Sequence, residues 1–566
     1  MSSASAKERP NDQGPPRVVI LGGGYGGIYT ALGLQKAARR GEIELSLVSQ
    51  ENFFLYQPML AEVVSGSIEP PHIVNPIRRM LRHTNFYLAE IESVDAQARE
   101  VVVRYPGGHA HYERIPYDHL VVAVGSATDL SRMPGMSEHA FPFKTLRDAF
   151  SLRNHLISVM ERAEVENVPE ELPELLTFVV VGGGYTGVEV AAEINAFVRE
   201  AAKSYRKVDP EEVKVILLQG ASRILPELNE AQAAFSQRQL ERQGIEVRLD
   251  TLIQGATAQT AVLGDGVEIP TRTLVAAVGS APNRLLDTVP GGRDPRGRLA
   301  VDETLAVPEQ PGIWAVGDCA AVPDLRKGGT CPPTAQYALR QARQLARNIR
   351  TSIRGEAPRP FSYRSLGVFV PLGRFSAAAD VMGLKISGFF AWWLYRTYYL
   401  SQLPRLERKL RVMFDWTLEL LFRRDLVKMD VAPSEGVTRA HYQPSEVIFL
   451  EGGLAGNFYI VLDGKVQIFR QQDGHEEEER TLGPGEFFGE RSLLRGAQHS
   501  ASARAETPVD LLIMNGADFT ALATSSTRFG ALLDDVMQQR RSGSEPADTS
   551  PGDRQEDDDG AVSNNR

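Results

Sequence analysis

Cysteine is scarce in this 566-residue chain, which contains only Cys319 and Cys331. They form neither a Cys-x-x-Cys pair nor a zinc-ligand pattern, so we predict a reducing compartment and no metal site. No apolar run approaches the ~20 residues of a membrane-spanning helix. Positive charge is not in excess either, and a net charge of −10 disfavours nucleic acid as a partner. Hydrophobic residues at 42% and charged residues at 24% exclude wholesale disorder, collagen and disulfide scaffolds.

The texture of the sequence changes along the chain. Residues 17–375 alternate Val/Ile-rich runs with helical patterns, which is typical of parallel βαβ units. Residues 376–430 are rich in aromatic and basic side chains, and from about 440 to 515 short strands are broken by glycine turns, which predicts a small all-β unit. The tail 541–566 has seven acids and three arginines, and we predict that it and the polar lead 1–16 are disordered.

A glycine-rich turn occurs twice, each time between a predicted buried strand and a predicted helix. The six glycines are Gly22, Gly24 and Gly27 in the first turn and Gly182, Gly184 and Gly187 in the second. In a GxGxxG turn the first glycine permits the tight bend, the second lets backbone approach a pyrophosphate, and the third allows close helix packing. The helix that follows offers free N–H groups to the phosphates. Two complete units therefore predict two dinucleotide sites; the alternative is two glycine turns without ligands.

Three further predicted strands end in glycine, at Gly125, Gly279 and Gly317, and Asp318 follows the last. With the two turns, they resemble the two-dinucleotide-binding flavoproteins, in which an NAD(P) domain is inserted into a split FAD domain. The resemblance implies that the first turn holds the FAD pyrophosphate and the second the nicotinamide cofactor. It also implies that Asp318 lies at the ribityl-phosphate region of FAD, where a carboxylate accepts hydrogen bonds from hydroxyls. Without the resemblance, a solvated turn would be the favoured interpretation of Asp318.

The position after the second strand of each dinucleotide unit usually carries an acid for the ribose hydroxyls. Ser49 and Gln50 follow that strand in the first unit, and Gln219 follows it in the second. A carboxylate at position 219 would repel the 2′-phosphate of NADPH, whereas an amide does not. We therefore expect NADPH to be accepted as well as NADH, with Arg223 as the nearest candidate partner of the phosphate. The alternative is a weak preference for NADH.

A closer resemblance, over residues 17–430, is to the type II NADH dehydrogenases, single-chain respiratory flavoenzymes that reduce membrane quinone. It rests on residues 53–60, 143–149, 181–189 and 332–338 and on the aromatic segment that follows. It implies that hydride passes from NAD(P)H to FAD and two electrons then pass to quinone, without proton pumping. Glu189 would lie near nicotinamide and flavin, and Gln336 would donate a hydrogen bond to flavin or quinone. Glu189 alone is also an ordinary first-turn acid favoured by the helix dipole.

Other functions stay open at this point. The family's second glutamine is replaced by Arg340, followed by Gln341, which leaves the identity of the acceptor open. The alternatives are a soluble diaphorase or ferredoxin-type reductase, a cyclic-nucleotide sensor without redox turnover, and an oxidase that uses Cys319 and Cys331. The lack of a cysteine in the first helix disfavours the disulfide reductases.

Residues 385–428 carry nine Lys/Arg, four Asp/Glu and three of the four tryptophans, Trp392, Trp393 and Trp416. A helix opened by Pro404 would have an apolar face and a basic face. The apolar residues are Leu403, Leu406, Leu410, Met413, Phe414 and Leu421, and the basic ones are Arg405, Arg408, Lys409 and Arg411. Such a helix suits an anionic membrane surface, and we expect a peripheral protein on the cytoplasmic face of the cell membrane. The alternative is a helix that packs on the core.

Residues 436–540 resemble a cyclic-nucleotide-binding domain, on the segments 451–468 and 484–505. The resemblance implies that Gly489 offers a backbone N–H, Glu490 accepts from the ribose 2′-hydroxyl, and Ser502 assists at the phosphate or base. His499 stands where the family has the arginine that pairs the cyclic phosphate. Histidine lacks the guanidinium fork and is largely neutral at pH 7. The domain therefore either binds a cyclic nucleotide or serves to dock on the dehydrogenase or on a second copy of the chain in a homodimer.

The predicted fold class is α/β, with two Rossmann-like domains, amphipathic C-terminal helices and a β-roll. The predicted divisions are a disordered lead (1–16), the first part of the FAD domain (17–150), the NAD(P) domain (151–290), the second part of the FAD domain (291–375), the membrane-docking segment (376–430), the cyclic-nucleotide-binding-like domain (431–540) and the disordered acidic tail (541–566).

Overall fold

The computed structural model describes residues 14–105, 111–226, 228–365, 367–422, 424–428, 437–442, 444–452, 457–472, 475–490, 493, 499–516 and 519. The predictions of disorder for residues 1–13 and 541–566 lie outside the described residues. Backbone contacts divide the described residues into two compact units, one up to residue 428 and the other from residue 437 onward.

The described residues form eleven α-helices, all in the first unit. These are α1 (Tyr25–Arg39), α2 (Leu60–Val64), α3 (Ile77–Met80), α4 (Met136–His139), α5 (Leu146–Val165), α6 (Leu172–Leu176), α7 (Tyr185–Ala202), α8 (Glu230–Arg242), α9 (Ala335–Ile353), α10 (Phe389–Gln402) and α11 (Leu406–Leu421).

The strands of the first unit are β1 (Arg17–Leu21), β2 (Glu44–Ser49), β3 (Phe53–Leu55), β4 (Val74–Pro76), β5 (Asn85–Leu88), β6 (Glu90–Asp95), β7 (Glu100–Tyr105), β8 (His111–Pro116), β9 (His119–Val122), β10 (Ser126–Thr128), β11 (Ala140–Pro142), β12 (Thr177–Val181), β13 (Lys214–Leu218), β14 (Ile245–Arg248), β15 (Ile253–Ala256), β16 (Thr260–Leu263), β17 (Glu268–Pro270), β18 (Thr273–Ala276), β19 (Ser280–Pro282), β20 (Leu299–Ala300), β21 (Ile313–Ala315), β22 (Ala320–Ala321), β23 (Gly367–Pro371), β24 (Ala377–Val381) and β25 (Leu384–Gly388). Those of the second are β26 (Val437–Tyr442), β27 (Val447–Phe449), β28 (Asn457–Asp463), β29 (Val466–Gln472), β30 (His475–Leu482), β31 (Phe487–Phe488), β32 (Ser502–Ala505) and β33 (Val509–Asn515).

Two parallel five-stranded sheets form the frame of the first unit. Their strand orders are β21-β9-β1-β2-β5 and β11-β18-β12-β13-β14. The central strands β1 and β12 are almost fully buried aliphatic runs, which is expected of parallel strands covered on both faces. Each runs into a glycine turn and then a long helix, α1 in the first sheet and α7 in the second. These are the two Rossmann-like units predicted from the sequence.

The two sheets are joined by a small antiparallel ribbon. Strand β10 follows Gly125 and pairs with β19, which follows Gly279, so that Ser126 lies opposite Pro282. Both glycines have positive φ, +66° and +80°, because the chain turns sharply as it leaves each parallel sheet. Strand β11, which ends at Pro142 before the predicted boundary at residue 150, pairs with β18 of the second sheet. The ribbon therefore brings equivalent ends of the two sheets together.

The helices α10 and α11 leave much of their apolar surface uncovered. The exposed side chains are Phe389, Phe390 and Trp393 on α10, Leu406, Leu410, Met413, Phe414, Leu418 and Leu421 on α11, and Phe422 after it. In the part of the chain that the structure describes, no helix combines the length and the hydropathy needed to cross a bilayer.

Some predicted members of these two faces lie elsewhere. Leu403 precedes α11 and is 1% exposed, and Trp392 and Trp416 are buried, whereas Trp393 is exposed. The two buried tryptophans pack on either side of the Arg396 guanidinium, with ring centroids 4.2 and 4.5 Å from its carbon. Arg408, which was predicted on the basic face, is only 9% exposed, because the side chain packs against the protein. Only part of the aromatic and basic content therefore belongs to the surface.

The second unit is a β-roll of two four-stranded antiparallel sheets among the described residues. Their strand orders are β26-β33-β28-β31 and β27-β32-β29-β30. Alternate apolar residues of both sheets face inward, where Tyr442, Tyr459 and Phe488 are buried with aliphatic neighbours. This is the all-β unit that the glycine-punctuated sequence predicted.

Candidate active site

The two glycine turns have nearly the same geometry. Gly22 and Gly182 both have φ of +109°, a conformation that side-chain-bearing residues rarely adopt. A Cβ atom on Gly27 would lie 1.9 Å from the carbonyl oxygen of Gly22. Open space lies beside Gly24 and Gly184, because no atom lies within 4 Å of a Cβ built at either position. Each turn therefore presents free backbone N–H groups at a helix N-terminus to an accessible space.

A cavity of about 890 Å³ opens at the first turn. The predicted site residues that line it are Gly22, Gly24, Ser49, Gln50, Gly125, Gly317 and Asp318. It also reaches Ala335 and Ala338 at the start of α9. Gly27 supports the turn from behind rather than lining the cavity.

Asp318 and Lys144 form a charged pair of groups in this cavity, and both line it. The Lys144 ammonium donates to the backbone carbonyl oxygen of Ser126 and, at 2.6 Å, to the Ser126 hydroxyl. Burial raises the pKa of Asp318 and lowers that of Lys144, and in each case the opposite charge of the other counteracts the shift. Asp318 therefore offers a hydrogen-bond acceptor and Lys144 a donor to polar groups bound in the cavity.

An acid also lines the cavity beside Ser49 and Gln50, the two residues that the sequence predicted for the FAD ribose. Glu51 lies two residues after β2 and faces the cavity. Its backbone N–H donates to the Ser49 hydroxyl at 3.3 Å, and partial burial raises the pKa of its carboxyl, an effect that Arg147 opposes. Counting from the strand end missed it, because the chain turns after β2 before it reaches the cavity.

Gln219 is built into the second glycine turn. Its Oε1 accepts from the Gly183 N–H at 2.9 Å, and its Nε2 donates to the Arg223 carbonyl oxygen at 3.1 Å. The Arg223 guanidinium donates to the carbonyl oxygens of Pro226 and Leu228 at 2.9 and 3.2 Å. The amide therefore holds the turn together without bringing a negative charge to it.

Glu189 is the fifth residue of α7, beyond the first turn of the helix, and its side chain is half-buried. Burial raises the pKa of its carboxyl well above the ordinary value, and the nearby Glu62 and Glu193 carboxylates raise it further. A first-turn acid that only complemented the helix dipole would be exposed and would have a normal or lowered pKa. The observed environment therefore shifts the Glu189 carboxyl toward its uncharged form, unlike that of an acid that only complements the helix dipole.

Gln336 and Gln341 take different places on α9. Gln336 is half-buried, and its Oε1 accepts from the Ser365 hydroxyl at 3.1 Å, so its amide N–H groups remain available as donors. Gln341 is buried, and its Oε1 accepts from the Gly317 N–H at 2.9 Å. Gln341 therefore positions the strand end that carries Asp318.

The two cysteines are buried free thiols. Cys319 Sγ donates to the carbonyl oxygens of Val316 and Val122 at 3.3 and 3.4 Å. Burial raises the pKa of each thiol to about 11, so neither is a thiolate at neutral pH. Thiolate nucleophiles or a redox pair are therefore disfavoured.

In the β-roll, a buried histidine occupies the position at which cyclic-nucleotide-binding domains have the phosphate-binding arginine. His499 is buried and stacks on Phe449, with ring centroids 3.7 Å apart and an interplanar angle of 8°. Burial lowers the pKa of His499 to about 4, so the ring is neutral. Glu490 is buried, Gly489 has φ +87°, and the Ser502 hydroxyl accepts from the Glu451 N–H at 2.9 Å. Most of the cassette between 491 and 498 lies outside the described residues.

Comparison with known proteins agrees with this architecture. The family profile "Pyridine nucleotide-disulphide oxidoreductase" matches residues 16–342. The Type II NADH:quinone oxidoreductase Ndh of Mycobacterium tuberculosis is 31% identical over 437 residues, which are 74% of this chain and 92% of that protein. The chain belongs to the type II NADH:quinone oxidoreductase family.

Two further similarities fit this membership. Demethylphylloquinone reductase NdbB of Synechocystis is 31% identical over 411 residues, covering 71% of this chain and 95% of that protein. The structure of NDH2 from Plasmodium falciparum in complex with NADH has a TM-score of 0.68 at 20% identity, covering 73% of this chain and 100% of that chain, and so shares the fold. The profile "Cyclic nucleotide-binding domain" matches residues 439–526, which adds to the dehydrogenase a domain of a second family.

Family membership makes FAD the cofactor and NAD(P)H the reductant. The residues of the first cavity fit a dinucleotide: the volume is that of a cofactor pocket, and the turn leaves space beside Gly24 for a pyrophosphate. Lys144 and Glu51 are cavity residues that sequence reasoning missed. Lys144 lies in the segment 143–149, one of those on which the family resemblance rests, and that resemblance was the signal that could have identified it. Among the described residues, no group of His, Cys, Asp or Glu is placed to hold a metal ion.

Proposed function

We propose that the chain is a non-proton-pumping NAD(P)H:quinone oxidoreductase in which the first glycine turn holds FAD and the second holds the nicotinamide cofactor. The observation that carries this assignment is the cavity of about 890 Å³ that runs from the Gly22 turn to the start of α9. When bound, FAD supplies the passage of two electrons from a nicotinamide to a quinone, chemistry that no side chain provides. The protein's part is binding, orientation and proton supply.

Each proposed binding residue has a physical task. The N–H groups of the turns at Gly24 and Gly184 bind the pyrophosphates at helix N-termini. Asp318, at a strand end, accepts hydrogen bonds from ribityl hydroxyls, and Lys144 offers a positive donor in the same cavity. Gln336 donates its amide N–H to flavin or quinone, while the Ser365 hydroxyl holds its oxygen.

The acceptor is a quinone, as in the names of the curated relatives, and the exposed helix pair supports a lipid-borne one. Phe390 on α10 is 72% exposed, and Leu406 and Leu421 at the two ends of α11 are 72% and 73% exposed. Aromatic and aliphatic side chains in such numbers fit the interfacial region of a membrane. The peripheral protein would dock on the cytoplasmic face through this surface.

Apolar contact rather than charge would dominate this docking. Arg405 and Arg411 both pair with Glu407, and Lys409 donates to the Ser401 carbonyl oxygen at 2.6 Å. The cations of α11 are therefore partly neutralised within the protein. Electrostatic attraction to anionic lipid is screened by salt, whereas apolar insertion is not.

The β-roll is proposed to act as a regulatory domain. We expect its segment 484–505 to bind an anionic ligand weakly or not at all. The neutral His499 ring stacked on Phe449 cannot form the bidentate pair that a guanidinium makes with a phosphate. Docking to a second copy of the chain in a homodimer is the other role proposed for this domain.

The decisive experiment is anaerobic reduction of the purified yellow protein by NADH and by NADPH, followed by reoxidation. We expect rapid bleaching of the flavin absorbance and rapid reoxidation by quinones incorporated in liposomes. Equal turnover with an acidic ferredoxin and no affinity for liposomes would favour the soluble reductase instead. A protein that stays colourless after incubation with FAD contradicts the proposal.

A further inference from the structure

Helix α7 carries three glutamates on one face, at positions 189, 193 and 200. Glu189 and Glu193 are four residues apart, so their side chains are neighbours one helical turn apart. Like charges at this spacing destabilise a helix, yet this pair lies against the interior of the first unit. The arrangement therefore calls for an explanation other than helix stability.

A group of seven charged residues surrounds this face; we call it the α7 cluster. It consists of Glu62, Glu189, Glu193, Glu200, Glu419, Arg396 and Arg424. Arg424 lies 2.9 Å from Glu419, 3.9 Å from Glu193 and 3.8 Å from Glu200. Arg396 lies 3.0 Å from Glu419 and 4.0 Å from Glu62. Ion pairs thus connect α7 to α2, α10 and α11.

The cluster has five carboxyl groups for two guanidiniums. Glu62 is 5% exposed; its two oxygens accept hydrogen bonds from the Tyr395 hydroxyl at 3.2 Å and the Trp416 N–H at 2.7 Å. Glu193 is 9% exposed, and its Oε2 has no hydrogen-bond partner among the described residues. Burying carboxylates that outnumber their counter-charges is costly, and this cost raises the pKa of the surplus carboxyls.

The pKa values distinguish the carboxyl that is hydrogen-bonded to two arginines from three other carboxyls of the cluster. Burial raises the pKa of Glu62, Glu189 and Glu193. The pKa of Glu419 is lowered, because Arg424 and Arg396 outweigh the effect of burial. The hydroxyls of Ser65, Ser67, Tyr395 and Tyr399 also face these carboxyls and stay protonated at neutral pH.

One end of the line of carboxyls reaches solvent. The Glu200 side chain is 30% exposed, and its Oε1 accepts from the Arg424 backbone N–H at 3.1 Å. The Glu189 end lies in the first turns of α7, close behind the second glycine turn. The face of α7 therefore runs from solvent to the residue that we place near the nicotinamide and the flavin.

We propose that Glu193 is a proton-relay residue that returns a proton to Glu189 after each turnover and regains it from solvent at the Glu200 end of the face. The proposal rests on the proposed function. A hydride brings one proton and two electrons, and a quinone that becomes a quinol takes two electrons and two protons. One further proton must therefore come from solvent, and it leaves from the Glu189 carboxyl. Glu193 acts on the reaction only through Glu189, so it is a positioning residue rather than a catalytic one.

The test compares Glu193→Gln with the parent holoenzyme using two acceptors. Reduction of a quinone consumes a proton, whereas reduction of ferricyanide, a one-electron acceptor, does not. We expect quinone turnover to fall roughly tenfold or more and to lose its dependence on pH near neutrality. Ferricyanide turnover should stay within about twofold, because hydride transfer requires no relay. Glu193→Asp, which keeps a carboxyl, should recover most of the quinone activity.

A second readout does not depend on activity. A relay carboxyl at position 193 would hold its proton between turnovers, so the infrared carbonyl band of a protonated carboxylic acid should be present in the parent and weaker in Glu193→Gln. If Glu193→Gln fails to fold, the more exposed Glu200→Gln should slow quinone turnover in the same selective way. The exposed Glu241→Gln on α8 serves as the control and should change neither rate.

The outcomes separate the relay from the proposed function. A parent that reduces ferricyanide but no quinone overturns the proposed function. A parent active with quinone, whose Glu193→Gln variant keeps the same rate, pH profile and infrared band, overturns the relay. Equal losses with both acceptors would show a structural role and would also overturn it.

Discussion

A Cβ atom on Gly187 would lie 1.8 Å from the carbonyl oxygen of Gly182, and the same relation holds between Gly27 and Gly22 at 1.9 Å. No rotamer change relieves such a contact, because a backbone oxygen receives it. Both helices can therefore begin where they do only if these two positions remain glycine.

Gly27→Ala should displace the start of α1 and so weaken FAD binding. Overpacking of this kind costs about 1–3 kcal/mol, which corresponds to a loss of about fivefold to about 150-fold in affinity. The flavin content of the purified variant and its FAD dissociation constant are the measurements. Gly264→Ala is the control, since a Cβ there would meet its nearest atom at 3.6 Å. Full flavin occupancy in Gly27→Ala would contradict the assignment of this turn.

Gln219→Glu should select against NADPH. The parent offers an amide beside the second turn, so kcat/KM for NADPH should lie within about a hundredfold of that for NADH. A carboxylate at this position repels the 2′-phosphate, and the ratio of NADPH to NADH should fall by at least about tenfold. Gln237→Glu, at a half-buried position of α8, should leave the ratio unchanged. A parent ratio already below about one hundredth would show that Gln219 does not admit the phosphate.

Membrane docking should depend on the exposed apolar side chains of α10 and α11. Phe390→Ser and Phe414→Ser each remove a ring that is exposed in the protein and would be buried in lipid, at a cost of about 1.5–3 kcal/mol. Each should weaken liposome binding at least about tenfold, measured by flotation of the holoprotein. Binding of the parent should persist at high salt. Val165→Ser is the control, because the Val165 side chain at the end of α5 is also exposed. Loss of binding at moderate salt would show that charge, not apolar contact, dominates.

His499→Arg should create or strengthen cyclic-nucleotide binding. A guanidinium supplies a bidentate, charge-assisted contact that the neutral histidine ring lacks, worth about 1.5–3 kcal/mol. Affinity for a cyclic nucleotide, measured by calorimetry on the full chain, should rise about tenfold or more. Asp463→Arg, at the end of β28, introduces the same charge elsewhere on the unit and should not have this effect. An unchanged affinity would favour the docking role of the β-roll.

Glu62→Gln should flatten the pH dependence of stability. Burial raises the pKa of Glu62 from 4.5 to about 7, although Arg396 opposes the shift. The folded state therefore keeps a proton that the unfolded chain loses, and the free energy of unfolding falls between pH 4.5 and 7, by on the order of 3 kcal/mol. The uncharged variant lacks this loss. All four tryptophans precede residue 433, so tryptophan fluorescence during denaturation at pH 5 and pH 8 reports on the first unit. Glu241→Gln should keep the slope of the parent; an equally steep slope in Glu62→Gln would contradict the assignment.

Much of the fold could be predicted from local sequence. The runs before Gly22 and Gly182 are too apolar for anything but buried strands, and the glycines that follow permit only a tight turn into a helix. The family profiles match the two regions that were predicted as dinucleotide-binding and cyclic-nucleotide-binding-like. These signals lie within a few residues of one another, so a single sequence displays them.

The residues that the prediction missed depend on distant partners. Glu51 reaches the cavity only because of the path the chain takes after β2, and Lys144 reaches it because its ammonium is held by Ser126. Trp392 and Trp416 were grouped with a surface, yet they enclose Arg396. Periodicity assigns a side chain to a face of a helix, but which face is covered depends on what else packs there.

The sequence by itself determined two glycine-turn units, an aromatic and basic segment and a β-roll, because strand, turn and helix propensities act over short distances. Only the tertiary structure decided which charges meet. Glu62 and Glu193 are separated by more than a hundred positions, yet the charge of Arg396 acts on them both, and their pKa values rise because folding removes water from around them. Desolvation and ion pairing depend on proximity in space, which no local pattern in the chain records.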